Sequence, residues 1–446
     1  MPETAGRRHP LTWMPTLYFA MGVPLNIVAV VAAIMYKNLG LSNTEIALYT
    51  GAMYLAWVVK PLWSPFIDMF RTKRFFVLFT EVALAASLGA VALALPLGGW
   101  LPLTVALFWI TAFLSATQDI AADGVYINAM TARQQARYIG AQGICWYAGK
   151  ILATGLLVSF TGYLHSPEYG PGLSWVQAWM IVMGLAGLAM LLLAVWHRLF
   201  LPVGSRAARF DDAQTGIRHL VHEFGDVFAS YFRKKGIGLM LAYVLLYRLG
   251  EGLLEKLGPL FLIDARAAGG LGLDNVAVGN INGTFGSAAF MLGALLGGAI
   301  ASRFGLRRSL MFLCIMLNVP NLTYVYLSHA QPTNIHWITV VFVVEKFGYG
   351  TGSVALMLYM MQQIAPGNYK TAHYAISTGF MALCMMLTGM VSGAIQEAAG
   401  YRWFFIIVMI ATIPSFIITR LAPFHLDPDE DEPPVPGPSL TATGET

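Results

Sequence analysis

The sequence predicts an all-α integral membrane protein of twelve transmembrane helices, and three observations carry that prediction. Composition comes first. Of 446 residues, 57% are hydrophobic and 11% charged, and the mean hydropathy is +0.63. Soluble domains carry about 25% charged residues, so a soluble enzyme is excluded. The second observation is segment length. Apolar runs near the ~20 residues that span a bilayer fall at 12–36, 44–65, 75–95, 102–130, 138–162, 174–197, 236–263, 275–301, 307–328, 335–364, 371–396 and 401–422. The third is charge placement. With the N-terminus inside, only Lys37, Arg266 and Arg402 fall in outer loops, and Lys60, Lys150, Arg248, Lys256 and Lys346 fall within helices; the remaining Lys and Arg residues lie in inner segments. Such a bias is the positive-inside signature, and a wrong helix count would scramble it.

Taken in order, each segment has its own signal. Arg7 and Arg8 precede the first run, which is too long for a signal peptide and lacks a small-residue cleavage site. Small and polar residues interrupt the fifth and tenth. The stretch 198–235 is the longest connection, and Ile217, Leu220, Val221, Phe224, Phe228, Tyr231 and Phe232 recur there at helical spacing. An amphipathic helix on the inner membrane surface is expected. The tail after Pro423 is acidic and proline-rich, a composition that does not build a core. Cys145, Cys314 and Cys384 lie in apolar segments, which indicates no disulfide framework. The net charge of +4 is scattered over loops, so no nucleic-acid partner is expected. Trp13, Trp63, Trp100, Trp175, Trp196, Trp337 and Trp403 fall near segment ends and read as an interfacial belt.

The two halves echo each other. Between segments 2 and 3 the chain reads SPFIDMFRTKR, with Asp68, Lys73 and Arg74; between segments 8 and 9 it reads GAIASRFGLRR, with Arg303, Arg307 and Arg308. Both approximate G-x-x-x-D-R-x-G-R-R, although the first copy lacks both glycines and the second has Ser302 in place of the acid. Six plus six helices with this loop resemble the major facilitator superfamily. The resemblance implies two six-helix bundles that rock about a central cavity lined by helices 1, 4, 7 and 10. It also implies a conformational latch at Asp68, Arg74, Arg303 and Arg307. The chain then divides into an N-terminal stretch (1–11), a first bundle (12–197), a linker with its amphipathic helix (198–235), a second bundle (236–422) and a tail (423–446).

Further motifs narrow the resemblance. KPLWSPFID (Lys60–Asp68), SATQDIAAD (Ser115–Asp123), YRLGE (Tyr247–Glu251), FGYGTGSVA (Phe347–Ala355) and GYRWF (Gly400–Phe404) resemble the AmpG-like muropeptide permeases and their acetyl-CoA-transporter relatives. Well-known muropeptide permeases carry two extra helices, which this chain does not show. The branch implies proton-coupled uptake of a glycan-bearing or anionic small molecule, across a bacterial inner membrane, with both termini cytoplasmic. It implies a monomer whose partners are the lipid bilayer and its substrate, and no cofactor beyond the proton gradient as driving force.

The charged residues inside helices are where function is expected. A carboxylate near the bilayer centre costs roughly 2.5–3.5 kcal/mol on the lenient scale. Asp119 and Asp123 are four apart and share a helical face. From the helical rise, Asp119 lies ~16 Å and Lys150 ~18 Å above the inner end, which makes them a candidate pair. Asp123 has no comparable partner and is the freer to titrate. Lys60 and Glu81 extend the polar layer, with Lys60 also able to snorkel to the interface. Arg248, Glu251 and Glu255 share one face of helix 7, and Glu345 and Lys346 interrupt helix 10. Asp119, Asp123 and Glu251 are the proton-coupling candidates. Lys150, Arg248, Trp109, Trp146, Gln118 and Glu345 are the substrate-binding candidates, the tryptophans as stacking faces for a sugar. Mutual neutralisation and plain helix packing remain the bland alternatives.

Rival readings differ in what they need. A siderophore or acyl-CoA-like anion would use the same residues. A drug exporter of the superfamily usually carries G-P-x-x-G-G on helix 5, where this chain reads GAQGICWYAGKILATG. An enzyme would need a His/Asp/Glu cluster at one interface, and His165, His329, His336 and His373 show no metal-like spacing.

Overall fold

The structure is a computed structural model and describes residues 9–70, 72–130, 132–202, 224–366 and 369–424. Ten helices among the described residues are long and apolar enough to cross a membrane. One of them, Ala372–Leu421, is two spans in one run. Gly400 sits at φ +73° and ψ 163° within it, a conformation that an L side chain resists. The chain turns there. A further span is built of two shorter helices, Asn43–Ala52 and Leu55–Phe70. The described residues thus form twelve spans: α1 Met14–Asn38, α2 Asn43–Ala52 with Leu55–Phe70, α3 Lys73–Ala94, α4 Trp100–Ala129, α5 from Ala132 to His165, α6 Trp175–Phe200, α7 Ile237–Ile263, α8 Asn275–Phe304, α9 Leu306–Ala330, α10 Ile335–Ile364, α11 370–399 and α12 401–421. These match the sequence segments to within a few residues at most ends. The largest difference is α5, which begins at Ala132. The polar run ARQQARY is helical there although it carries no apolar signal.

Local chemistry sets the helix starts. Ser42 and Glu45 form a reciprocal capping box at α2, as Ser174 and Gln177 do at α6. Thr72 caps α3 and Asp274 caps α8. Each cap satisfies backbone donors that the first turn leaves unpaired. Four spans carry a turn of π-helix: Ile27–Val31 in α1, Leu152–Leu157 in α5, Gly279–Phe285 in α8 and Met360–Ile364 in α10. Such insertions bend a helix and cluster where function needs an irregular face. Three spans are interrupted by turn residues, α2 at Met53–Tyr54, α7 at Tyr247–Arg248 and α12 at Thr412.

The spans assemble as two six-helix bundles. At the ends remote from the chain termini, here called the far side, the bundles are locked together. Asp264 at the end of α7 receives Lys37 Nζ at 2.5 Å, Asn43 Nδ2 at 3.0 Å and Tyr401 OH at 2.6 Å. Thr44 bonds Glu397, Asn275 donates to Asn38 at 2.7 Å, and Tyr169 donates to Asp274 at 2.7 Å. The same half holds a close backbone approach between the bundles. A Cβ placed on Gly283 of α8 would lie 2.3 Å from the Cα and N of Gly155 on α5. Gly283→Val is therefore expected to destabilise the protein by at least ~1–3 kcal/mol through overpacking, read as a lower unfolding midpoint in detergent.

The part of the linker helix that is described, 224–232, is helical and docks on α11. Tyr231 is fully buried and its OH lies 2.9 Å from Ser377 Oγ, while Ser230 Oγ lies 3.0 Å from His373 Nε2. The expected helix on the membrane surface is thus held to the protein along this edge; residues 217–223 of that expectation lie outside the described residues. Trp196, Trp337 and Trp403 are exposed near span ends as a belt requires, but Trp13 is buried at 1% exposure, packed on the α1–α4 core.

Candidate functional site

The first bundle carries two acids on α4, one turn apart, aimed at different neighbours. Asp119 accepts from Trp57 Nε1 at 3.1 Å and faces Lys60 Nζ at 3.5 Å, both on α2. Its second oxygen has no hydrogen-bond partner. Asp123 accepts from Tyr18 OH on α1 at 2.9 Å. Two expectations change here. Asp119 is paired with Lys60, not with Lys150: equal depth on neighbouring helices fixes the level of two side chains but not the direction in which they point. Asp123 has a partner, since the tyrosine is invisible to a search for opposite charges.

Gln118 turns the other way. It is fully buried and its Nε2 lies 3.3 Å from Glu81 Oε1. Glu81 also receives His197 Nδ1 at 2.7 Å, and His197 Nε2 lies 3.0 Å from Thr16 Oγ1. This chain ties α4, α3, α6 and α1 inside one bundle, with Gln118 turned into it. The Glu81–His197 pair was missed at the sequence level. The signal was present, an acid and a histidine each alone in an apolar helix. Trp109 stacks on Phe113 at 6.1 Å, and Phe113 lies tilted against Trp63 at 5.6 Å. That places Trp109 in an aromatic group of α2 and α4, apart from the charged cluster described next.

Lys150 leaves the first bundle electrostatically. Its ammonium has no hydrogen bond or ion pair with a described residue and lies 5.8 Å from the Tyr147 ring and 5.7 Å from the Phe290 ring. The charges acting on it are Glu255, Lys346, Arg248 and Glu251, all in the second bundle. The break in α7 puts Arg248 at the start of its second half, where the guanidinium bonds the Tyr349 hydroxyl and covers that ring at 5.1 Å. A second nitrogen of Arg248 reaches Met381 Sδ at 3.7 Å. Broken helices near mid-membrane commonly build transporter sites in this way.

The acids of this cluster are held unequally. Glu345 pairs with Lys346 at 3.0 Å. Glu255 accepts from Tyr54 OH of α2 at 2.9 Å. Lys256 crosses to the first bundle, with Nζ 2.6 Å from the Ala29 carbonyl. Glu251 is fully buried and neither carboxylate oxygen has a hydrogen-bond partner. Tyr147, Phe290 and Tyr349 form a continuous aromatic row across the bundle boundary, with centroids 5.5 and 4.9 Å apart. Trp146 joins its end, 5.1 Å from Tyr147. The arrangement offers two cations without a direct carboxylate contact beside aromatic faces. Such a pairing suits an anionic group attached to a ring with an apolar face.

The expected latch is only partly described. The Asp68 side chain lies outside the described residues. Arg74 bonds the Arg198 carbonyl at the base of α6. Arg303 and Arg307 rest over Phe304 and Phe424 at 5.7 and 5.9 Å and make no ion pair with a described residue. Among the described residues no group of three His, Cys, Asp or Glu side chains could hold a metal ion.

Comparison with known proteins follows the same lines. The family model of the Major Facilitator Superfamily matches residues 16–373. The anhydromuropeptide permease of Escherichia coli (strain K12) is 26% identical over 410 residues, which cover 90% of this chain and 77% of the relative. Putative transporter AmpG 4 of Rickettsia conorii is 22% identical over 408 residues, covering 89% and 92%. A crystal structure of the nucleoside transporter NupG superposes with a TM-score of 0.68 at 15% identity, covering 93% of this chain and 98% of that one, a likeness of fold. Family, fold and buried charge agree on a multi-pass membrane transporter and not an enzyme: the chain belongs to the Major Facilitator Superfamily.

Proposed function

We propose that the chain is a proton-coupled importer of a sugar-bearing anionic fragment of the muropeptide kind, working by alternating access in the bacterial inner membrane. The observation that carries this reading is the pair Lys150 and Arg248 over the aromatic row Tyr147–Phe290–Tyr349. Similarity to an anhydromuropeptide permease over 90% of the chain supports the substrate class. Lys150 and Arg248 receive the anionic group, and the aromatic row with Trp146 receives the sugar face. Glu345 acts through Lys346, which it holds in place. Glu251 carries the coupling proton, with Asp119 and Asp123 as secondary acids whose partners change as the bundles move. The basic side, where Arg74, Arg198 and Arg303 lie, faces the cytoplasm. The locked far side then faces the periplasm, and the described state is closed to it.

Uptake into proteoliposomes tests the reading. Labelled anhydromuropeptide is expected to accumulate under an inwardly directed proton gradient and to stop doing so with a protonophore. Lys150→Ala removes a charge-assisted contact worth about 1.5–3 kcal/mol, so KM is expected to rise by about tenfold or more. A ferric siderophore and an acyl-CoA are run in parallel. Transport of either one without the muropeptide would overturn the substrate assignment, and accumulation insensitive to the protonophore would overturn the coupling.

A further inference from the structure

A cavity lies away from the central cluster, at the basic ends of α3 and α6 on the outer wall of the first bundle. Its volume is about 460 Å³ and it is lined by Thr72, Arg74, Phe75, Leu78, Arg198 and Leu199. Two of these residues are arginines and none is an acid. The Arg198 side chain has no hydrogen bond or ion pair with a described residue, and Arg74 is brought beside it by bonding the Arg198 backbone carbonyl. Two like charges gathered in one concavity raise its potential and draw an anion to it. The first turn of α3 adds to this, since it carries no acidic residue although a helix start favours negative charge.

The walls away from the arginines are apolar and exposed. Phe75 and Phe79 are 47% and 55% exposed and stack in parallel at 6.2 Å. Leu199 is 57% exposed, and Trp196 stacks on Phe200 at 4.0 Å beside it. Cations at the membrane surface with apolar faces running into the bilayer match a phosphate head joined to acyl chains, not a soluble anion. Basic pockets at this level between spans hold acidic head groups elsewhere.

We propose that this cavity binds an anionic phospholipid from the leaflet on the basic side, its phosphodiester clasped by Arg74 and Arg198 and its chains laid along Phe75, Phe79 and Leu199. The site is distinct from the transport cluster and does not depend on the substrate assignment. Native mass spectrometry of the purified protein with added phosphatidylglycerol or phosphatidylcholine tests it. The wild type is expected to retain phosphatidylglycerol in preference, and the Arg74→Gln/Arg198→Gln variant to bind it about tenfold more weakly or worse. Arg233→Gln/Lys235→Gln removes the same charge elsewhere on the basic side and is expected to leave binding unchanged. If the first variant fails to fold, Arg198→Gln alone serves, because its side chain supports no contact with a described residue. Equal retention of the two lipids, equal binding by the folded arginine variant, or displacement by glycerol phosphate at the same concentration as by the lipid would each overturn the proposal.

Discussion

Glu251→Gln is expected to abolish accumulation driven by a pH gradient while leaving exchange of solute across the membrane intact. The argument is one of elimination among buried acids. Asp119 is held by Trp57 and Lys60, Asp123 by Tyr18, and Glu81 by His197 and Gln118. Glu345 is matched by Lys346 and Glu255 by Tyr54. Glu251 alone in this set has no donor on either oxygen, so no contact in this state fixes its proton. It also sits on α7 within one turn of Arg248, where a proton and an anionic substrate would feel one another directly. Glutamine keeps the shape and cannot titrate.

The measurement separates coupling from movement. One coupled proton supports about a tenfold concentration ratio for each unit of pH difference, and the variant is expected to lose that ratio. Counterflow, which needs only the rocking of a loaded carrier, is expected to stay within a few-fold of wild type. Gradient-driven accumulation by Glu251→Gln at the wild-type level would move the coupling role elsewhere. Asp123→Asn in the same assay shows whether it moves to the α4 acid.

What was legible in the sequence follows from what the bilayer enforces. Backbone groups in lipid must pair within a helix or closed barrel, so each span had to be long and apolar, and loop charge had to be lopsided. Lys150, Arg248, Glu251 and Glu345 stood out because charge inside such a span is costly. Partner identity was not legible in the same way. Depth follows from counting residues, whereas the direction of a side chain depends on how each helix is rotated in its bundle. That is why Lys150 matched Asp119 in height yet faces Phe290 and the second bundle. Neutral partners such as Tyr18, Tyr54 and Tyr349 carry no charge signal and were found only in three dimensions. The far-side lock was hidden for another reason. Lys37, Asn43, Asp264 and Tyr401 lie at span ends, where polar residues normally meet water. Lys37 was nonetheless one of few basic residues on that side, and a lone charge against the topological bias is a usable sign of a partner.

Asp264→Asn is expected to open the far side. Asp264 is the hub at which Lys37 of α1, Asn43 of α2 and Tyr401 of α12 converge, and the first two belong to the opposite bundle. Asparagine can still accept from Tyr401 and Asn43 at one oxygen, but its amide nitrogen then takes the place of the oxygen that faces Lys37, removing the ion pair and setting a donor against the ammonium. The pair is 18% and 11% exposed, so its loss is expected to cost about 1–3 kcal/mol, below the value for a fully buried pair. Each 1.4 kcal/mol moves a two-state population about tenfold. Spin labels at Leu48 and Trp403, both exposed near the far side, with the three native cysteines replaced, report the separation of the bundles. A longer distance component is expected to grow in the variant. Lys37→Met is expected to produce the same shift, and the double variant no more than either alone, since both remove one interaction. Additive shifts would mean that the two residues act separately. An unchanged distance distribution in all three would mean that the far-side lock rests on its other contacts, Thr44–Glu397, Asn38–Asn275, Tyr169–Asp274 and the glycine approach of α5 and α8, and not on this ion pair.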